Sequence, residues 1–443
     1  MHIRCIAAAL AAAWTVASAA QPAADLVLYG VVDVGVSYEL HGMPSNDSGS
    51  VGSAYLVQKG GNHATWTLSQ SGLGQSRLGA KGSADLGGDW SALFRLESAI
   101  NPAGGNLTDG IGSIIRNNGL PQAQTNAFAD SSSNGQVFAR AALAGISHPV
   151  YGSLTAGRQS ALQGDMIAQH DPMAGAFAFS FLGFFGYPSG SGSSEVARWD
   201  NSVKYLGSAG IFRFAAMASF GGAVARDDGG YAADLGLDWK GLTADLVHTR
   251  KQDEVSAAPL TMPQMLGARS LGLDPGRSFA ATVFDAESWS AGLTWHWQSV
   301  QLSGGAEIIR SANPEHPLAL GFVDVGGYAA GAVNNAAFSH PRRQTIGWLG
   351  LRYTPLPLLD LSAAAYRLRQ NSYAVGAEAG CSDGRAPACA GNETVLSALA
   401  DWHLSAQLDS YAGVAYSHVV GGLASGFYHA VNAVPTIGLR YRF

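Results

Sequence analysis

Residues 26–40 read LVLYGVVDVGVSYEL, and the two faces of this stretch differ in polarity. One face is apolar over most of its length and carries Leu28, Val32, Val34, Val36, Tyr38 and Leu40. The alternate face includes Asp33 and Glu39. Side chains that alternate with a period of two predict a β-strand with one apolar and one polar face. A soluble β-sandwich would show the same alternation, so the number and spacing of such stretches decide the fold.

Sixteen such candidate strands follow one another along the chain. They lie near residues 26–40, 65–83, 89–100, 136–147, 152–160, 197–207, 211–221, 231–241, 242–253, 287–298, 299–311, 344–354, 358–370, 394–405, 408–420 and 433–443. Gaps after odd-numbered strands are mostly long, whereas those after even-numbered strands hold a few residues or none. This alternation is typical of outer-membrane barrels. We therefore predict an all-β fold, a transmembrane antiparallel β-barrel of sixteen strands with long external loops and room for an aqueous channel.

The composition is unusual for a soluble protein. Charged residues make up 13% of the 443 residues, glycine accounts for 57, and the formal net charge is −6. Soluble domains carry about 25% charged residues. These values argue against a disordered chain, a coiled coil and a nucleic-acid partner. Beyond the N-terminal segment, no stretch reaches the ~18–20 continuous apolar residues of a membrane-spanning helix, so only a closed barrel would satisfy the backbone within lipid.

Residues 1–20 have the features of a cleaved signal peptide, which leaves 21–443 for the barrel. Arg4 precedes an apolar, alanine-rich segment that ends in small residues suited to cleavage. A segment of this length is too short to anchor the chain in a membrane. We therefore expect the mature chain to be exported.

The mature chain keeps two cysteines, Cys381 and Cys389, in the segment CSDGRAPAC. Export implies an oxidising compartment, so we predict one disulfide that closes a small loop. Two free thiols are the alternative. A metal site is disfavoured, because two cysteines without a nearby histidine make a poor set of zinc ligands.

Several segments together resemble a known family. They are LVLYGVVDVGVSYEL (26–40), SRLGAKGSADLG (76–87), ALFRLES (92–98), FARAALAGI (138–146), GSLTAGRQ (152–159), RWDNSVKY (198–205) and IGLRYRF (437–443). In their order and spacing the chain resembles the Gram-negative general porins, most closely the trimeric porins of β-proteobacteria. The resemblance implies a homotrimer in the outer membrane, surrounded by lipid and lipopolysaccharide. It also implies that Phe443 is the signal read by the barrel-insertion machinery.

The resemblance further implies a pore constriction, where an inward-folded third loop at about 160–196 faces charged residues of the barrel wall. By match to the family's motifs, the basic wall residues are Arg77, Lys81, Arg140 and Arg198. Glu97 matches a wall acid, and Asp165 and Asp171 are assigned to the loop by location only. Opposed charges set up a transverse field, and an excess of arginine favours anions. The preference between anions and cations stays open here, because the arginines could instead be structural.

The third loop is unusually rich in aromatic residues. They are Phe177, Phe179, Phe181, Phe184 and Phe185. These rings either pack the loop against the wall or form an aromatic constriction that prefers weakly polar solutes. The second possibility would make the protein a substrate-specific channel. Arg367 and Arg369 share a face of the thirteenth candidate strand, where we expect them to line the lumen.

The predicted function is therefore a porin for passive diffusion of ions and small hydrophilic solutes. The selectivity would depend on the arginine-rich wall that faces the third loop. The sequence contains twelve histidines but neither a G-x-S-x-G nor an H-E-x-x-H motif, and it has no nucleotide-binding motif. We thus expect no enzymatic activity, no cofactor and no metal.

Overall fold

The computed structural model describes most of the strands and part of the connection that follows the fifth wall strand. The described residues are 24–42, 63–102, 105–107, 137–138, 140–184, 198–220, 229–257, 262, 266, 281–312, 340–372, 390–421 and 430–443. Both the segment 1–20 and the pair Cys381 and Cys389 lie outside these residues, so the signal peptide and the disulfide stay predictions.

Strands dominate the described chain. They are β1 (Ala24–Gly42), β2 (His63–Gln70), β3 (Arg77–Gly87), β4 (Trp90–Asn101), β5 (Asn106–Leu107), β6 (Ala141–His148), β7 (Gly152–Ser160), β8 (Arg198–Ala209), β9 (Phe212–Phe220), β10 (Gly229–Trp239), β11 (Leu242–Ala257), β12 (Ala281–Trp297), β13 (Val300–Ala312), β14 (Arg342–Leu356), β15 (Leu359–Gln370), β16 (Gly391–His403), β17 (Leu408–Gly421) and β18 (Val431–Arg442). Two helices, α1 (Leu162–His170) and α2 (Phe181–Phe184), lie between β7 and β8. Among the described residues, neither helix has the length and the apolar run needed to cross a bilayer.

The strands form a closed antiparallel barrel of sixteen wall strands, which confirms the predicted fold. Closure occurs where β1 pairs with β18, with Val32 opposite Tyr441. β2 and β3 both pair with β1 and are two halves of one wall strand. The short β5 pairs only with β4 and does not belong to the wall.

Connections at the two ends of the barrel differ in length. At one end, neighbouring strands are joined by short turns, as between β10 and β11, where Lys240 and Gly241 have φ angles of 49° and 82°. Tight hairpins require such positive φ angles. At the other end, β13 and β14 are separated by residues 313–341, and β15 and β16 by 371–390. By analogy with barrels of this kind, we call this the long-loop end.

Residues alternate between the two faces of the wall along each strand. On β14, Leu349, Leu351 and Tyr353 are exposed on the outward face. Trp348, on the alternate face, is buried inside the barrel and contacts α1. The polar residues that the strands bury, such as Ser290 and Thr294, face inward. The barrel is therefore apolar outside and polar within.

Arg367 and Arg369 do not line the lumen, contrary to the expectation from the sequence. Both are exposed, whereas Tyr366 and Leu368 beside them are buried and face inward. The period of two places the arginines on the same face as Leu361, which is exposed on the outward surface of β15. The apolar face of this strand thus ends in two positive charges near the long-loop end.

Candidate functional site

The third loop folds into the barrel, as expected. Helix α1 lies inside and packs against β9, β10, β11, β12 and β13. Gln163 on its buried side donates from Nε2 to Ser290 Oγ at 2.9 Å and accepts from Ser288 Oγ at 2.9 Å. These paired hydrogen bonds satisfy a buried amide and hold the start of the helix on β12.

His170 fixes the end of the same helix. Its ring is fully buried, with Nε2 2.6 Å from Asp245 Oδ2 and Nδ1 2.9 Å from Thr294 Oγ1. Arg213 donates to the same Asp245 oxygen at 3.0 Å. Gly292 lets the ring approach, because a Cβ there would lie 2.5 Å from it. The helix is therefore tied at both ends to the wall formed by β11 and β12.

Asp171, expected at the constriction, is buried against the wall on the far side of the loop. Its carboxylate accepts hydrogen bonds from Tyr366 Oη at 2.6 Å and from the Gly175 amide at 2.7 Å. Burial raises the pKa of this carboxyl above its ordinary value. Its position is that of an anchor for the loop rather than of a charge exposed to solutes.

Asp165 occupies a different environment from Asp171. Nearly half of its side chain is exposed (46%), and it accepts from Lys204 Nζ on β8 at 2.7 Å. Of these two acids, only Asp165 is accessible from the part of the lumen that the loop leaves free. Its charge there is offset by an adjacent lysine.

Two of the loop's aromatic rings pack into the wall. Phe179 and Phe181 are fully buried. Phe179 meets Tyr411 edge-on at 6.1 Å between ring centroids, and Phe181 lies 6.2 Å from Tyr366. Phe177 is half-buried, while the side chain of Phe184 and the whole of Phe185 lie outside the described part of the chain. The buried rings hold the loop to the wall as a core would.

The wall strand made of β2 and β3 is interrupted at residues 71–76. Asp33 organises this break, since its Oδ2 accepts from the amides of Leu73 at 2.7 Å and Gly74 at 3.0 Å. Its Oδ1 accepts from Tyr411 Oη at 2.6 Å. The end of the third loop also bonds here, through the amide of Ala178 and the carbonyl of Gly72 at 2.9 Å.

Basic residues gather around Glu97 on the wall opposite the loop. Glu97 is only 2% exposed, and its carboxylate accepts from Arg95 at 2.6 Å and from Arg140 at 2.5 Å. Tyr29 Oη donates to it at 2.6 Å, and Arg77 Nε lies 3.7 Å away. We call Arg77, Arg95 and Arg140 with Glu97 the inner arginine cluster. Three guanidinium groups share one carboxylate, so the cluster is net positive.

The remaining wall residues expected at the constriction lie around this cluster. Arg198 begins β8 opposite Ser160, and Arg140 is among its electrostatic neighbours. Lys81 is exposed, with Nζ 5.6 Å from the centroid of the Tyr29 ring. The structure thus places the four basic wall residues predicted from the sequence on the side of the barrel that the loop leaves free.

Arg95, Gln75 and Tyr29 are members of this site that the sequence analysis missed. Arg95 lies two residues before Glu97 and shares its inward face, so the alternation itself could have identified it. Gln75 accepts a short hydrogen bond from Arg140. Gln75 lies in the strand break. No local sequence pattern predicts this break, so the sequence contained no signal for Gln75.

One group of residues in the described part of the chain has metal-ligand geometry. Ligand atoms of Asp401, His403 and Asp409 lie within 4.8 Å of one another. Asp409, however, accepts from Arg440 at 2.7 Å and Arg442 at 2.9 Å. Two guanidinium groups already neutralise this carboxylate, so the group is better described as an ion-pair network than as a metal site.

Phe443 joins the last strand to the first. Its amide and carbonyl both bond to Gly30, at 3.1 and 2.9 Å, and its half-exposed ring stacks on Tyr441 at 6.1 Å. Gly30 is required beneath this ring, because a Cβ would approach it to 2.4 Å. The residue therefore lies on the outward face at the closure of the barrel.

Known proteins show the same fold. An anion-selective porin from Comamonas acidovorans matches with a TM-score of 0.60 at 16% identity, over 95% of this chain and 100% of that one. The trimer form of OmpT from Vibrio cholerae matches with a TM-score of 0.56 at 13% identity, over 95% and 100% of the two chains. At these identities the likeness concerns the fold alone.

Sequence comparison identifies the family to which the chain belongs. An outer membrane porin protein of Bordetella pertussis is 27% identical over 200 residues, 45% of this chain and 43% of that protein. The aligned part is therefore less than half of this relative's length. The sequence model that describes the Gram-negative porins matches residues 7–422. The chain belongs to the Gram-negative porin family.

Proposed function

We propose that the protein is an outer-membrane channel through which ions and small hydrophilic solutes diffuse passively. Two features support this. The outward face of the barrel is apolar, as a membrane-spanning wall requires. The inward face carries charged and polar residues, and the third loop narrows the lumen without replacing that polar lining.

The inner arginine cluster carries the proposal that the channel prefers anions. Arg95 and Arg77 are partly exposed, at 46% and 28%, whereas their shared carboxylate on Glu97 is buried. In its described part, the facing loop offers one exposed acid, Asp165, which forms an ion pair with Lys204. A positive wall beside a low-dielectric loop concentrates anions locally. Guanidinium groups also stay charged and match carboxylate or phosphate groups in two-point contacts.

A trimer is part of the proposal, supported by OmpT, which is described in a trimer form. Phe443 is proposed as the residue that the barrel-insertion machinery recognises. Its ring is accessible on the outward face beside Tyr441. This position leaves the ring free to contact the insertion machinery before the barrel closes. Export by a cleaved signal peptide would precede this step.

An aromatic constriction that selects particular solutes is the second candidate function. The half-buried ring of Phe177 is the observation that favours it. Phe179 and Phe181 contribute to wall packing instead, so the hypothesis now depends on Phe177, Phe184 and Phe185. Replacing Phe177 with leucine would change solute discrimination under this hypothesis and leave it unchanged under the general-channel proposal.

Planar-bilayer recording of the full-length protein in a KCl gradient tests the main proposal. We expect large conductance steps, with closure of the channel in three levels. We also expect a reversal potential that is displaced towards the equilibrium potential of chloride. Arg140→Ala should reduce the anion preference, because it removes one of the three guanidinium groups at the cluster. A wild-type channel that prefers potassium, or an inactive protein that nevertheless folds, would contradict the proposal.

A further inference from the structure

A second group of arginines lies on the outside of the barrel near the long-loop end. It consists of Arg310 on β13, Arg343 on β14, and Arg367 and Arg369 on β15, and we call it the outer arginine patch. All four are exposed. Their inward-facing neighbours are buried, as Ile309 is beside Arg310 and Gln344 beside Arg343. The three strands are consecutive in the wall, so the four side chains share one surface.

The strand register brings these side chains close together. Arg310 is directly opposite Arg343 across the β13–β14 pair. Arg369 is opposite Thr345 and is thus diagonal to Arg343. Side chains in such positions lie about 5–8 Å apart at Cβ, and like charges directly opposite one another destabilise a sheet. The arrangement therefore favours a negatively charged ligand that bridges the guanidinium groups.

In the described part of the chain, Glu287 of β12 lies directly opposite Arg310, whereas the other three arginines have no acid as a registered neighbour. None of the four guanidinium groups forms an ion pair there. The registered neighbours of Arg367 and Arg369 on β16 are Thr394 and Asn392, which are uncharged. Asp285 and Glu287 of β12 therefore border the patch at Arg310.

The patch stands at the upper edge of the apolar wall. Below Arg343 the outward face of β14 continues through Leu349 and Leu351 to Tyr353. Ten residues span about 34 Å along a strand. At a tilt of about 40° this corresponds to about 25 Å of height, the usual height of a barrel's apolar band. Arg343 thus lies at the level where lipid tails give way to headgroups.

The other side of the barrel lacks such charges. The described residues on the outward faces of β16, β17, β18 and β1 include no lysine, arginine, aspartate or glutamate. At the height of the patch these strands present residues such as Thr394, Ala433 and Tyr38. The positive charge of the patch therefore has no counterpart on this side of the barrel.

We propose that the outer arginine patch binds the phosphate groups of lipid headgroups in the leaflet that surrounds the long-loop end. Guanidinium groups form charge-assisted, two-point hydrogen bonds with phosphate. Clustered basic residues at a membrane surface bind anionic lipid. A lipid that carries two phosphates on a sugar headgroup would span neighbouring arginines while its acyl chains cover Leu349 and Leu351. The inference rests on the proposed location in the outer membrane.

Native mass spectrometry of the intact protein in detergent tests this proposal. The probe is a diphosphorylated, multiply acylated glucosamine disaccharide, compared with its dephosphorylated form. The variant Arg343→Gln/Arg369→Gln should bind the phosphorylated probe about tenfold more weakly than the wild type. Its binding of the dephosphorylated probe should not change. Arg369→Gln alone provides a milder variant, with an intermediate loss, if the double variant does not fold.

The matched control is Arg77→Gln/Arg95→Gln, which removes the same charge from the inside of the barrel and should bind the lipid as the wild type does. Unchanged lipid binding by the outer variant, or equal binding of the two probes by the wild type, would overturn the proposal. Complete competition by millimolar inorganic phosphate would overturn it as well, since the site would then serve free phosphate. Conductance of the same samples tests the channel function separately.

Discussion

The inner arginine cluster and the outer arginine patch are built from the same residue type on strands of the same wall, yet their surroundings differ. Inside, Arg77, Arg95 and Arg140 converge on the carboxylate of Glu97. Outside, Arg310 and Arg343 stand opposite each other without a carboxylate between them. The alternation of a β-strand decides which group a residue joins. The anionic partner of the inner group is part of the protein, whereas we propose that the main partner of the outer group comes from the membrane.

Replacing Glu97 with glutamine should have the largest effect on stability. The change leaves three guanidinium groups facing one another without their common anion. Breaking a buried ion pair costs about 3–5 kcal/mol, and we expect about 2–3 kcal/mol here, because the half-exposed Arg95 is screened by solvent. Urea unfolding of the barrel in lipid vesicles would measure the loss.

Glu287→Gln is the matched control for that variant. Glu287 also lies opposite an arginine, Arg310, but on the outward face. Its removal should cost less than about 1 kcal/mol, because opposite charges near the protein surface that do not form a close ion pair contribute little to stability. Equal losses for the two variants would mean that the inner cluster owes no stability to its shared carboxylate.

Tyr366→Phe should have an intermediate effect, because it acts on the loop that faces the inner cluster. The variant removes the hydrogen bond from Tyr366 to the buried Asp171. Leaving a buried carboxylate short of one donor costs about 1–3 kcal/mol. Limited proteolysis should detect a less firmly held third loop, and single-channel recordings should show more current noise.

The outward-facing Tyr353→Phe serves as the comparison for the loop variant. Tyr353 is exposed and lies at the opposite end of the outward face from the patch. Its replacement should alter neither the noise nor the rate of proteolysis. A quiet, protease-resistant Tyr366→Phe channel would show that the remaining contacts of Asp171 and the aromatic packing suffice to hold the loop.

Arg352→Gln should have the smallest effect. Arg352 is on the inward face of β14 and lies nearer the short-turn end than Trp348, the residue of this strand that contacts the loop. It carries a lumen charge outside the inner cluster. We expect a reversal potential close to the wild-type value, and a shift as large as that of Arg140→Ala would show that total lumen charge, rather than its position, determines selectivity.

The sequence was sufficient to predict the barrel, because a period of two repeated in sixteen segments leaves few other folds. The resemblance to the porin family assigned Arg77 and Glu97 to the wall, and the structure brings the two side chains together in the inner arginine cluster. The same period of two should have shown that Arg367 and Arg369 alternate with the inward Tyr366 and share the apolar face of Leu361. A charged residue on a barrel strand does not always face the lumen, because the ends of the outward face also tolerate charge.

Other features had no local signal. The break at residues 71–76 depends on Asp33, about forty residues earlier, and on Tyr411 from the other end of the chain. Asp165 is exposed and Asp171 is buried because the two residues contact different parts of the wall after the loop folds inward. Such contacts arise only once the barrel has closed, so periodicity and motif could not specify them.

The reversal potential in a KCl gradient, measured on two double variants, tests whether the inner arginine cluster determines the ion preference of the channel. Arg77→Gln/Arg95→Gln and Arg367→Gln/Arg369→Gln each remove two arginines, one pair inside the wall and one pair outside. We expect the inner variant to lose anion preference and the outer variant to keep the wild-type reversal potential. Equal shifts in the two variants, or a shift in the outer one alone, would contradict this expectation.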